Sequence, residues 1–268
     1  MQDAYLTSFG DFLPGDPINN DSIEDHIGIV GSKISKYKKL VLKQNKIHTR
    51  YYATDSNGQC QYNVSELAAK AIRDAFDHAE ADISDLELLN TSCSIHDATV
   101  PGLASIVHGV LGIHALDLSS FQSVCGSAIM ALKGAVNSVK TGDVNLAAIS
   151  GSEIASRHFR PQFYEKTEYF LENGNLPLDQ EFLRYTLSDG GGAALCESRP
   201  NANSISLKVN WIRAKSFANS FPTCMIGGAI KEEGKLVPWS NFESISAAEA
   251  KGAFVLSQDL KLVYEMIP

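Results

Sequence analysis

The stretch SSFQSVCGSAIMALKGAVNSVKTGDVNLAAISGSE, Ser119 to Glu153, decides how the chain is read. It opens in the run ALDLSSFQSV (115–124), which has the look of a strand. It continues in GSAIMALKGAVNSVKTGD (126–143), a helix with Gly142 at its stop. It ends in VNLAAISGSE (144–153), an apolar strand that runs into a Gly/Ser turn. One cysteine, Cys125, stands at the strand–helix junction. Strands apolar along their whole length are buried on both faces. Strand, helix, strand in succession marks a layered α/β fold with a mostly parallel core.

The same alternation extends upstream. DLELLNTSCS (85–94) reads as a buried strand ending near Cys93. PGLASIVHGVLG (101–112) has Pro101 at the start and Gly112 at the stop of a helix. In YNVSELAAKAIRDAFDHA (62–79), Leu67, Ala68, Ala71, Ile72, Ala75 and Phe76 recur at the helical period, with Ser65 as cap and Glu66 and Asp74 on the polar side. The opening MQDAYLTSFGDFLPG reads as a strand and a Pro/Gly turn, without the basic and apolar regions of a secretory signal.

Downstream the pattern changes. Arg157 to Leu183 is aromatic-rich and irregular, with His158, Phe159, Phe163, Tyr164, Tyr169, Phe170 and Phe182, and suggests a functional excursion or cover. LSDGGGAALCES (187–198) lacks the lysine of a phosphate-binding loop, so its glycines point to close packing of a strand. NSISLKVNWIRAKS (203–216) alternates as a strand does, and FESISAAEAKGAFVLSQDLKLVYEMI (242–267) reads as one helix still running where the sequence stops. The expected organisation is residues 1–200 as one half, with the nucleophile, and 201–268 as the start of a second, truncated half.

The net charge of −8 argues against a nucleic-acid partner. No apolar run approaches the roughly 20 residues that span a bilayer, so no membrane role is expected. The five cysteines are widely spaced and form no zinc pattern, so no metal is expected and a reducing cytoplasm is the default. Lys33, Lys36, Lys38, Lys39, Lys43, Lys46 and Arg50 form a basic stretch without an acid. It is either a solvated helix face or a landing patch for an acidic partner such as a carrier protein.

Position alone favours packing for a cysteine ahead of a buried helix. The alternative is chemical. A helix N-terminus presents unpaired N–H groups that favour a thiolate and can receive an oxyanion. Gly126, Ser127 and Ala128 are small enough for close approach, and Ile129, Met130, Leu132 and Ala135 make the helix apolar, which predicts that it is buried.

The ordered segments together resemble the ketoacyl-ACP synthase III branch of the thiolase-fold condensing enzymes. The resemblance is carried by GDFLPGDPINNDSIEDHIG (10–28), QNKIHTRYYA (44–53), TSCSIHDATVPGLASIVHGVLGI (91–113), the nucleophile stretch through Glu153, and LSDGGGAALCE, and covers most of Tyr5 to Pro200. CMIGG, RYYA and VPGLASIVHG look closest to the ketosynthase/cyclases that form dialkylresorcinols and cyclohexanediones. The resemblance implies an α/β, thiolase-like layered fold with a complete N-terminal repeat and an incomplete C-terminal repeat.

It further implies that Cys125 is the acyl-accepting nucleophile of a decarboxylative Claisen condensation, possible without a metal or redox cofactor, on substrates carried as phosphopantetheine or CoA thioesters. Gly126 and Ser127 would adjoin the oxyanion. Glu153 is either an acid near substrate or a structural carboxylate at a strand end. Where CoA-primed members carry an aromatic residue and an Arg, this chain has Leu40 and Gln44, which favours delivery by acyl carrier protein, with Lys39, Lys43, Lys46 and Arg50 as its contact. A dimer is expected, with a second copy or with a ketosynthase-like chain, and Phe163 and Tyr164 would line its contact or a tunnel.

The family draws a His and an Asn from its second half. His158 is the last histidine here, and neither it nor His96 nor His108 takes that role by the resemblance. The alternative function is therefore a non-catalytic or half-active partner subunit of a heteromeric ketosynthase.

Overall fold

The structure is a computed structural model that describes residues 2–266. Along the chain its first elements are β1 (Tyr5–Phe12), β2 (Ile18–Asn19), α1 (Ile23–Ile27), α2 (Lys38–Asn45) and β3 (Thr49–Arg50). Next come α3 (Val64–Ala79), β4 (Leu88–Cys93), α4 (Leu103–Leu111), β5 (Asp117–Gln122), α5 (Ser127–Thr141) and β6 (Leu146–Glu153). Then follow α6 (Glu168–Asn173), α7 (Leu178–Thr186), β7 (Gly190–Glu197), β8 (Leu207–Lys208), β9 (Met225–Ile226) and β10 (Ala229–Glu232). The last are β11 (Lys235–Pro238), α8 (Ile245–Ala250), β12 (Ser257–Gln258) and α9 (Leu260–Met266).

The chain forms two compact units that interleave in sequence. The first takes residues 1–15, 62–154 and 189–215; the second takes 16–61, 155–188 and 216–268. A cut at residue 200 falls within the first unit.

The first unit is built on a six-stranded sheet in the order β5-β4-β6-β7-β1-β8. Only β5/β4 and β4/β6 are parallel; β6/β7, β7/β1 and β1/β8 are antiparallel, so the sheet is mixed rather than mostly parallel. β6 and β7 pair antiparallel although α6 and α7 lie between them in the chain, and β1 joins them from the N-terminus, so an alternation of helices and strands gives no hint of this half of the sheet. β4 is buried at every residue, as its composition demands. β5, the strand read in ALDLSSFQSV, is the exposed edge. NSISLKVNWIRAKS contributes only the two residues of β8.

Helix α3 packs on one face of the sheet. Its Glu66 carboxylate accepts the Asn63 N–H at 2.7 Å, so the cap is at Asn63 and Ser65 lies inside the first turn. Two glycines let α3 approach the strands. A Cβ at Gly10 would stand 2.2 Å from the Ala75 nitrogen, and one at Gly191 would stand 2.6 Å from the Leu67 carbonyl oxygen. The close-packing reading of the triple glycine therefore holds. Side chains alternate along β6 and β7, so Gly151 and Gly192 face the other way. There Ala128 of α5 rests over Gly151, with a Cβ at that position 3.3 Å away. Helix α5 buries Ala131, Ala135, Val136 and Val139, but Ile129 and Met130 are exposed. The expectation of a wholly buried helix fails because α5 meets the sheet along one stripe only.

The second unit holds the aromatic stretch, which is less irregular than expected: α6 and α7 lie within or across its end. Phe159 and Tyr164 are fully buried core residues, so Tyr164 does not line an open surface. Arg184 is buried among them, donating to the Phe159 carbonyl at 3.0 Å and the Gly28 carbonyl at 2.7 Å, with the Glu181 carboxylate 3.5 Å away. The C-terminal stretch is not one helix. α8 stops at Ala250, Gly252 takes a positive φ of 78°, and β12 intervenes before α9. Ile267, the last residue of the helix expected there, lies outside the described residues.

The Gly191 contact is with backbone, which cannot turn aside. Gly191→Ala is expected to lower stability by about 1–3 kcal/mol, the usual cost of overpacking. Urea unfolding followed by circular dichroism measures this, and an unchanged midpoint would contradict the contact.

Candidate active site

The parallel strands β4, β5 and β6 end at Cys93, Gln122 and Glu153. Their register sets Cys93 beside Gln122 and Ser92 beside both Phe121 and Gly151. Helix α5 begins at that same end, where α/β sheets place their functional loops. Cys125 is exposed and stands one residue ahead of the Gly126 N-cap. A tight turn holds it: the Ser127 N–H donates to the Val124 carbonyl at 3.1 Å, and the Met130 N–H to the Gly126 carbonyl at 3.2 Å. Helix geometry leaves the remaining first-turn N–H groups without partners inside the helix, next to the thiol. An accessible thiol at such an end can attack an electrophilic carbonyl, and first-turn N–H groups suit the resulting oxyanion.

Gly126 and Ser127 both adjoin Cys125; Gly126 is exposed, and Ser127 is buried. Glu153 is half-buried. Its Oε2 accepts the Ser94 N–H at 2.7 Å and its Oε1 the Ile95 N–H at 3.3 Å. Burial is the main cause that pushes its carboxyl above the usual range; the N–H bonds oppose this, and nearby Asp189 adds to it. The Gln122 amide donates to the Ser94 carbonyl at 3.1 Å. Asp97, in the same loop, accepts the Val64 and Ser65 N–H groups at 2.9 Å each and the Ser65 hydroxyl at 2.8 Å. This carboxylate at the positive end of α3 escaped sequence reading, because the helix it caps begins 33 residues earlier.

The histidines take separate places. His96 lies in the loop between Ser94 and Asp97, and its Nδ1 is buried without a hydrogen-bond partner among the described residues. The His108 Nε2–H donates to the His114 carbonyl at 2.9 Å, a packing role in α4. His158, in the second unit, lies 5.6 Å from the Phe163 ring. Burial, then the charge of Arg157, lowers its pKa to about 4. Lys39, Lys43 and Lys46 are exposed on and just after α2. Arg50 is not part of that surface. It is 1% exposed and donates to Asn20 Oδ1 at 2.7 Å and to the Tyr185 carbonyl at 2.8 Å. Among the described residues, no group of three or more His, Cys, Asp or Glu is placed to hold a metal ion, and no helix is long and apolar enough to cross a membrane.

No protein-family model matches the chain. A β-ketoacyl-[acyl-carrier-protein] synthase III of Ehrlichia canis (strain Jake) is 27% identical over 157 residues, which cover 59% of this chain and 46% of that protein. The C-terminal type III polyketide synthase domain of Steely1 from Dictyostelium superposes with a TM-score of 0.67 at 19% identity, covering 88% of this chain and 67% of that one. The chain carries the thiolase fold, and over its matching residues it is similar to ketoacyl-ACP synthase III enzymes. The tetronic acid condensing enzyme AbyA1 superposes with a TM-score of 0.61 at 24% identity, over 74% of this chain and 56% of that one. The chain spans about half the length of the curated relatives it matches.

Two predictions follow from burial. Cys93 and Cys196 have thiols pushed up to about 12, mainly by burial, and stay protonated at pH 8. Iodoacetamide at pH 8 is therefore expected to label Cys60, Cys125 and Cys224, with the two buried thiols reacting only in denaturant. Peptide mapping reads this directly, and labelling of Cys93 in the native protein would contradict the burial. His158 binds its proton more weakly folded than unfolded. Between its ordinary value near 6.5 and about 4, the unfolded chain holds the extra proton, so its contribution is complete above that window and lost as pH falls through it. The melting temperature is expected to drop over pH 6.5 to 4 more steeply in the wild type than in His158→Gln.

Proposed function

We propose that the chain is the nucleophile-bearing part of a thiolase-fold condensing enzyme and that Cys125 accepts the acyl group. The observation that carries this reading is an exposed thiol at the start of α5, at the shared end of three parallel strands. The Cys125 thiolate attacks the carbonyl carbon of an acyl thioester. A new C–S bond forms, negative charge collects on the carbonyl oxygen, and the first-turn N–H groups of α5 are placed to receive it. The carrier thiolate leaves and takes up a proton. In the second half-reaction a malonyl thioester loses carbon dioxide, or a β-ketoacyl thioester gives up its acidic α-proton to solvent. The resulting carbanion attacks the enzyme thioester, a C–C bond forms, and the Cys125 thiolate is released.

The ring-forming chemistry of the dialkylresorcinol and cyclohexanedione enzymes is the finer reading, supported by the segments CMIGG, RYYA and VPGLASIVHG. Acyl carrier protein is the proposed donor. Exposed Lys39, Lys43 and Lys46 support it, since an acidic carrier is drawn to a basic face, while Arg50 makes no contribution. A cytoplasmic dimer is part of the same proposal. The exposed edge strand β5, with Leu118, Ile129, Met130 and Val100 also exposed, supports pairing with a second copy or a ketosynthase-like chain.

Incubation with an acyl-carrier thioester, read by intact mass, is expected to add one acyl group to the wild type and none to Cys125→Ala. An adduct that persists in the variant would overturn the assignment, as would a wild type that stays unmodified while the carrier thioester remains intact.

A further inference from the structure

Glu153 is anchored to backbone, and what it anchors bears on the nucleophile. Its two carboxylate oxygens take the Ser94 and Ile95 N–H groups, at 2.7 and 3.3 Å. Ser94 is the first residue after β4, and its carbonyl accepts the Gln122 side chain at 3.1 Å from the last residue of β5. Ser94 thus ties together the ends of β4, β5 and β6. Gln122 is three residues ahead of Cys125, and Ala128, three residues after it, lies against Gly151 and so next to Ser92. Both arms of the nucleophile turn therefore rest on the strand ends that this clamp joins. The loop is held at its far end as well, where Asp97 takes the first N–H groups of α3. A half-buried carboxylate costs free energy unless it is hydrogen-bonded, and here both oxygens are.

The geometry points to Glu153 as a positioning residue for Cys125. Acting through Ser94 and Gln122, it fixes the turn that presents the thiol to the first-turn N–H groups of α5. Its chemical meaning rests on the reading of Cys125 as nucleophile, but the positioning itself is a statement about thiol reactivity. It is therefore tested without any acyl transfer.

The experiment is alkylation of the full chain by iodoacetamide, followed thiol by thiol by peptide mapping. Cys60 and Cys224, exposed in the second unit, serve as internal standards. In Glu153→Ala, Cys125 is expected to react about 10-fold more slowly, within the range that small misplacements cost. Cys60 and Cys224 are expected to keep their rates, and Cys93 to stay unlabelled. Loss of a negative charge does not slow a thiol's alkylation, so a slower reaction reports geometry and not charge. Glu153→Gln keeps a carbonyl acceptor for Ser94 but loses the one for Ile95, and its Cys125 is expected to react a few-fold more slowly than in the wild type, between it and Glu153→Ala.

An unchanged or faster Cys125 in Glu153→Ala overturns the proposal. So does a common change in all three exposed thiols, or labelling of Cys93, since either marks general loosening. If Glu153→Ala does not fold, Glu153→Gln alone decides: a selective slowing of Cys125 by a few-fold supports the clamp, and a wild-type rate overturns it. Loss of acyl transfer with a normal alkylation pattern in the wild type would instead count against the proposed function and leave the clamp standing.

Discussion

The structure of the first unit depends on how closely α3 lies against β1 and β7. At Gly10 and Gly191 the helix backbone occupies the space that any Cβ would need. This contact fixes the height of the helix above the sheet and, with it, where its N-terminus falls. Asp97 reaches that N-terminus from the loop after β4 and satisfies the two leading N–H groups. The loop is therefore pinned from the α3 side of the sheet, while Glu153 and Gln122 pin it at the strand ends. A backbone contact on one face of the sheet is thus connected, through one short loop, to the residues that carry the nucleophile turn on the other.

Carboxylates in this region do structural work of an uncommon density. Burial, and to a lesser degree the nearby Asp189, oppose the charge of Glu153. N–H groups compensate, because a backbone donor offers a directed partial charge without a mobile side chain. Burial first, and then Glu153 and Asp97, discourage ionisation of the neighbouring Cys93. Two thiols of one unit thus have opposite characters: Cys93 is buried among acids, whereas Cys125 is exposed at a helix start.

Much of the fold was legible in sequence. The period of α3, the Gly stops of α4 and α5, the buried composition of β4 and the glycines of β7 each follow from local chemistry and hold in the structure. Local chemistry does not report neighbours. β5 and β4 are both strands in sequence, yet one is the exposed edge and the other is interior and buried at every residue. Arg50 reads as one more cation in a basic run, but Asn20 and the Tyr185 carbonyl, far apart in sequence, draw it inside. The C-terminal stretch has enough helix-forming residues to look continuous, and a single positive φ at Gly252 is part of what divides it.

The candidate site divides in the same way. Cys125, its small neighbours and the helix behind it are contiguous, so the sequence by itself determined that a thiol would stand at a helix start. It also determined the order of segments by which the chain resembles the ketoacyl-ACP synthase III branch. Only the tertiary structure decided that Glu153 turns back onto Ser94 and Ile95, and that Gln122 joins it there. Those partners lie 28 to 59 residues apart in the chain. Their meeting depends on the order β5-β4-β6, which places three strand ends side by side and which no local pattern of residues encodes.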